Sequence, residues 1–169
     1  MILDIGCGFA KERDVSSFPR RYKANPRGDV NIDIGKLEVK IKNYVRCDAS
    51  HLCFKDKTFK KVVASHVLEH LKNPVSCLRE IKRVLNVDGV LEVRVPNRYS
   101  ELRGYDSAHV WHWDKNSFKR VIQQIFPNVE VTVDKGCWVP IRGNRRVWGK
   151  YLIKIFPFLA NELRAKAWT

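Results

Sequence analysis

Apolar positions along the chain fall into two rhythms that alternate from one end to the other. One rhythm is short and of period two or continuous, as in strands; the other repeats every three to four residues, as in helices. Met1 to Ile5 is an apolar run holding one acidic residue, Asp4, and it breaks into Gly6-Cys7-Gly8. This reads as a buried parallel strand entering a tight turn, where glycines let the backbone approach a ligand because no Cβ intervenes. Asp29 to Ile34 alternates apolar and polar residues and predicts a second strand, with Asp33 near its C-terminal end. Tyr44 to Cys47 is a third strand that ends at Asp48. Phe59 to Ser65 is a fourth, centred on Val62, Val63 and Ala64, and His66 to Leu71 follows as a turn or short helix. Val90 to Val95 is a fifth strand stopped by Pro96. Val129, Val131 and Val133 mark a sixth, and Glu162 to Trp168 reads as a last strand rather than a helix end.

Two segments carry helical spacing. Asn73-Pro74 supplies an N-cap and first-turn pair, Leu78, Ile81, Val84 and Leu85 keep the period, and Asp88-Gly89 ends the segment with a turn. Asp114 caps a second helix whose buried face is Phe118, Val121, Ile122, Ile125 and Phe126. Between the first two strands, Pro19, Pro26, Ser16 and Ser17 leave room for only a short or irregular crossover helix. Gly35 to Asn43 is a very short connection. Residues 137–159 read as a basic loop followed by an apolar helix from Val147 to Phe156. Strands alternating with helices predict an open, mostly parallel α/β sheet.

Composition narrows the class. With 169 residues and 44% hydrophobic content, the chain is long and apolar enough for one domain with its own core, not a disordered segment. The net charge of +14 makes a field that draws anions: nucleic acid, phosphorylated metabolites or an anionic membrane surface. Its plain counterpart is a solvated basic surface. Two clusters combine such charge with aromatics or length: Arg142, Arg145, Arg146 and Lys150 beside Trp138, Trp148 and Tyr151, and Lys11, Arg13, Arg20, Arg21, Lys23 and Arg27. Aromatics among basic residues can grip phosphates and stack bases, so nucleic acid is a candidate partner, although no RNA-binding motif accompanies them. Five cysteines without a C-x-x-C pair point away from a disulfide framework and a structural zinc site, and toward a reducing compartment. With no membrane span and no signal peptide, the expected location is cytoplasmic.

Five motifs in order resemble the class I S-adenosylmethionine-dependent methyltransferases, in particular their type 11 group. They are Ile2-Leu3-Asp4-Ile5-Gly6-Cys7-Gly8, Cys47-Asp48-Ala49, Phe54-Lys55-Asp56-Lys57-Thr58-Phe59, Ser65-His66-Val67-Leu68-Glu69-His70-Leu71, and Leu78-Arg79-Glu80-Ile81-Lys82-Arg83-Val84-Leu85 through Gly89. The likeness covers residues 2–97 and continues more loosely through His109-Val110-Trp111-His112-Trp113. It implies a three-layer, Rossmann-like α/β fold, a seven-stranded, mostly parallel sheet whose last strand is antiparallel, in a single domain over residues 1–169. The implied cofactor is S-adenosylmethionine. Asp4, Gly6, Cys7 and Gly8 would shape the pocket for its methionine part, and Asp33 would accept both ribose hydroxyls. Asp48 would face the adenine amino group with Ala49 beside it, and Ser65 and His66 would line the meeting point of cofactor and acceptor. The chain departs from the family in having Ala10 where a third glycine is usual, and in lacking helices before the first strand. The substrate cover then falls to the 97–113 loop or to a partner subunit in a homodimer.

The acceptor is not named by any motif; a small metabolite, a lipid or sugar intermediate, RNA and protein all stay open. If the accepting atom must lose a proton, His66 and His109 are the candidate catalytic bases. For His109 and its neighbours the alternative is an aromatic loop packed under the sheet edge. Glu69 and His70 read as capping or packing residues. Two rival functions are weighed. One is a binding module that keeps the fold and holds an anionic partner on its basic surface. The other is a zinc hydrolase, because His66-Val67-Leu68-Glu69-His70 matches H-x-x-E-H. No third ligand stands out in the sequence and this stretch is ordinary in the methyltransferase family, so no metal is expected.

Overall fold

A computed structural model describes residues 1–7, 27–35, 41–101, 108–133 and 162–169. Gly8, Ala10, the crossover expected in 9–28 apart from its last two residues, both basic clusters apart from Arg27, Cys137 and the apolar helix expected at 147–156 lie outside them. Seven strands form one sheet: β1 Ile2–Ile5, β2 Val30–Asp33, β3 Tyr44–Arg46, β4 Phe59–Ser65, β5 Leu85–Pro96, β6 Asn128–Val133 and β7 Glu162–Trp168. Their order across the sheet is β3-β2-β1-β4-β5-β7-β6. The first five strands pair in parallel, and β7 runs antiparallel between β5 and β6. The mostly parallel α/β sheet and its reversed last strand are as expected.

Helices α1 (Pro74–Val84) and α3 (Lys115–Gln123) touch each other and pack on the sheet at β5 and β6. Both caps act as their residues predict. The Asn73 side chain accepts from Ser76 N at 3.2 Å, with Pro74 in the first turn, whose missing N–H would have had no helical partner. Asp114 and Ser117 close a reciprocal capping box that satisfies two end groups of α3. Leu78, Ile81, Val84, Phe118 and Ile122 are wholly buried against Val62, Leu91, Val93 and Leu163. A four-residue helix, α2 (Arg98–Glu101), follows β5.

The start of β5 differs from the sequence expectation. Helix α1 ends at Val84, and β5 begins at once with Leu85, which pairs with Phe59. The next pair is Lys61 with Val90, so 86–89 bulge out of the ladder and the Asp88-Gly89 turn sits inside the strand rather than before it. Leu85 suits both rhythms: it continues the helical period and it opens the strand. Pro96 lies inside β5, paired with Glu162, rather than stopping it at Val95.

Long-range ties hold the loop between β3 and β4. Arg83 on α1 donates to the carbonyls of Leu52 and Phe54 at 2.9 and 2.8 Å and to Asp56 Oδ1 at 2.6 Å. It also donates to both oxygens of Glu80, and Glu80 Oε2 accepts from Leu52 N at 2.8 Å. Charge-assisted bonds of this kind are the strong ones. Arg83→Met keeps the aliphatic stem and removes every bond that Arg83 donates; it is expected to lower unfolding free energy by about 2–3 kcal/mol in chemical denaturation. A change below about 0.5 kcal/mol, the level of an ordinary surface substitution, would mean the loop is held by other contacts.

Candidate functional site

In an open α/β sheet, ligands bind outside the carboxyl ends of the parallel strands. Here that edge collects Asp4 to Cys7, Asp33, Cys47 to Ala49, Ser65 to Glu69 and, because β7 is reversed, its first residue Glu162. The sequence-selected residues converge on this edge, except Gly8, which is outside the described residues, and His109, which reaches the edge only through the turn after β4.

At the end of β1 the chain turns at Gly6, whose φ of +71° suits glycine. Gly6 N and Cys7 N both donate to Ile32 O, at 2.9 and 3.1 Å, so the turn is tied to β2. Asp4 is buried, and its Oδ2 accepts from Arg27 N at 2.8 Å. Burial pushes its carboxyl above the usual range, opposed by the Arg27 N–H bond and the Arg27 charge. Asp33, also buried, accepts at Oδ1 from Gly35 N at 3.0 Å. Cys7 feels the charge of both carboxylates. Its thiol is pushed up to about 12, first by burial and then by the charges of Asp33 and Asp4. A thiol so disfavoured as thiolate is no nucleophile and serves as packing.

Tyr44 was not selected from the sequence. Its hydroxyl donates to the carbonyls of Asp33 and Gly35, which fixes the backbone carrying the Asp33 carboxylate. Asp48 follows β3; its Oδ1 accepts from Ser50 N at 2.8 Å, and Ala49 is buried behind it. Asp48 is well exposed toward the edge, with 47% of its side chain accessible.

Ser65 ends β4 opposite Arg94, and His66 follows at φ +56°. That strained turn breaks the helical geometry that H-x-x-E-H needs, since a zinc pair four apart must share one helix face. Only Leu68–His70 forms a 3-10 turn. His66 turns to two carboxylates: its Nε2 is 3.3 Å from Glu162 Oε1 and its Nδ1 3.2 Å from Glu69 Oε1. The Glu162 carboxylate first, then the Glu69 carboxylate, raise its pKa to about 9 against the effect of burial. An imidazole with a carboxylate beside each nitrogen is kept protonated and does not accept a proton. Glu162 is 96 residues away in sequence, and no local pattern signals it.

His109 lies on the loop after β5. Its ring meets that of His70 edge to face, with centroids 4.8 Å apart, and His70 Nδ1 stands 3.0 Å from Ala108 O. Val110 N and Trp111 N donate to Glu69 O, and Trp111 Nε1 donates to Leu71 O. The loop is therefore fastened to the turn after β4.

The strand order, the glycine turn and the acidic residues at the ends of β1 and β2 define a Rossmann-like methyltransferase domain, and comparison with known proteins agrees. Residues 3–93 match the family model described as a methyltransferase domain; the chain belongs to that S-adenosylmethionine-dependent family, in its type 11 group. An uncharacterised protein of Methanocaldococcus jannaschii is 35% identical over 105 residues, 61% of this chain and 44% of that protein. The chain thus spans less than half the length of the curated relative it matches. A S-adenosylmethionine-dependent methyltransferase of Archaeoglobus fulgidus is similar in structure, with a TM-score of 0.67 at 22% identity over 98% of this chain and 84% of that one. The plantazolicin methyltransferase BpumL, solved with S-adenosylhomocysteine, gives 0.61 at 18% identity over 98% and 74%. S-adenosylmethionine is the family's cofactor. Among the described residues no helix is long and apolar enough to cross a membrane.

Proposed function

We propose that the chain binds S-adenosylmethionine across the ends of β1 to β4 and transfers its methyl group to an acceptor presented beside His66 and Glu162. The observation that carries this reading is the acidic lining: buried Asp4 and Asp33 converge on the glycine turn. The cofactor matches that lining, since its ribose hydroxyls and its ammonium are donors and its sulfonium is a cation.

Asp33 would take the ribose hydroxyls, with Tyr44 holding its backbone. Asp48 would face the adenine amino group with Ala49 beneath the ring. Asp4, Gly6, Cys7 and Gly8 would border the methionine part, and Ser65 the reacting end. When bound, the cofactor supplies an activated methyl group, so the protein's work is alignment and exclusion of water. Alignment alone can contribute roughly 7–11 kcal/mol. His66, paired with Glu162 and Glu69, is not the base in this reading. An acceptor atom that must lose a proton would then need a base other than His66.

The test is incubation with methyl-labelled S-adenosylmethionine and panels of small metabolites, lipid or sugar intermediates, RNA and protein. Label is expected in one class. A protein that binds the cofactor product yet labels none would replace this reading with a binding module.

A further inference from the structure

We propose that Glu69, His70 and His109 form a divalent metal site, best matched to zinc, that fastens the loop after β5 to the turn after β4. One ligand atom from each residue lies within 4.8 Å of the other two. Zinc bonds of about 2.0–2.2 Å put the donors of a tetrahedral site roughly 3.3 Å apart, so side-chain movements of about 1 Å would close the site.

Two further observations point to a cation. Glu69 is wholly buried, yet among the described residues neither carboxylate oxygen receives a hydrogen bond of proper geometry. The His66 ring faces Oε1 at 3.2 Å as an ion pair, and Oε2 receives no hydrogen bond. His66 compensates the carboxylate from one side only, and a cation at Oε2 would satisfy the oxygen left unbonded. The second observation is the orientation of His70. Because Ala108 O can only accept, His70 Nδ1 must donate to it, and the lone pair then sits on Nε2. Ligating histidines are held in this way, by a bond from the other ring nitrogen to a carbonyl or carboxylate.

The loop carrying His109 is already tied to Glu69 O through Val110 N and Trp111 N, so little ordering remains for the metal to impose. Two imidazoles and one carboxylate suit zinc and its first-row neighbours better than calcium or magnesium, which favour oxygen donors. These three ligands leave a fourth position open. The set is not that of H-x-x-E-H, because His66 is turned toward Glu162 and its place is taken by a residue 39 positions beyond His70. The proposal is independent of methyl transfer.

Titration of chelator-treated full chain with cobalt(II), then displacement by zinc, reads the site without any activity assay. The expected result is one cobalt per chain with visible ligand-field bands, bleached by zinc. Zinc affinity should fall at least about tenfold in His109→Ala and in His70→Asn, each checked for fold by circular dichroism. Absence of the bands in folded protein, or zinc affinity unchanged in both variants, would overturn the proposal.

Discussion

Asp33→Ala protein is expected to fold and yet to bind S-adenosylhomocysteine about 10- to 150-fold more weakly than the unaltered chain. That range corresponds to roughly 1.5–3 kcal/mol, the usual loss when hydrogen bonds to a charged group are removed. The reasoning begins in the strand. β2 is four residues long, Ile32 is its buried apolar anchor, and Asp33 follows as its last residue, at the carboxyl edge. Its carboxylate is held by Gly35 N and its carbonyl by Tyr44, so it meets a ligand with little reorganisation. Asp33→Asn retains the shape and the oxygen that accepts from Gly35 N, and should lose less. Calorimetric titration of the three proteins separates charge from fold. Equal affinity in all three would place the ribose away from β2.

The largest loss of stability is expected from Gly28→Ala, at least about 3 kcal/mol by chemical denaturation. A Cβ there would stand 2.3 Å from Val30 O, 2.7 Å from Asp4 N and 3.0 Å from Ile2 O. All three are backbone atoms of β1 and β2, so no side chain can turn aside and the strands must part. The Asn31 side chain clamps Gly28 from both its N–H and its carbonyl, which blocks a simple outward shift. Gly6→Ala is a useful contrast. Its Cβ would meet Val67 Cγ2 at 2.4 Å, a side-chain atom that can rotate, and the left-handed φ adds about 1–2 kcal/mol. Gly28→Ala as stable as the unaltered chain would mean that β1 and β2 do not approach so closely.

These two glycines show where sequence reading stops. Gly6 is legible, because a strand breaking into Gly-x-Gly announces a turn. Gly28 reads only as the end of a crossover, since a close approach between strands is a fact of three dimensions. All seven strands were legible for a similar reason: each holds its own rhythm, and Asn73, Pro74 and Asp114 punctuate the helices between them. The reversed direction of β7 came from family resemblance and not from any pattern within it.

The site divides in the same way. Asp4, Asp33 and Asp48 sit at strand ends, where position alone marks them. Tyr44, Arg83 and Glu162 act through bonds to distant backbone or side chains, and nothing local distinguishes them from other polar residues. The H-x-x-E-H pattern misleads because it presumes a helix. The left-handed turn at His66 sends one histidine to Glu162, and the loop after β5 brings His109 to the other.

The central claim is that the carboxyl edge of this sheet is a cofactor site. Its most direct test is calorimetric titration of the purified chain with S-adenosylmethionine and S-adenosylhomocysteine. One site per chain with micromolar affinity for each is the predicted result. No measurable heat or competition with either compound, from protein shown to be folded, would contradict it.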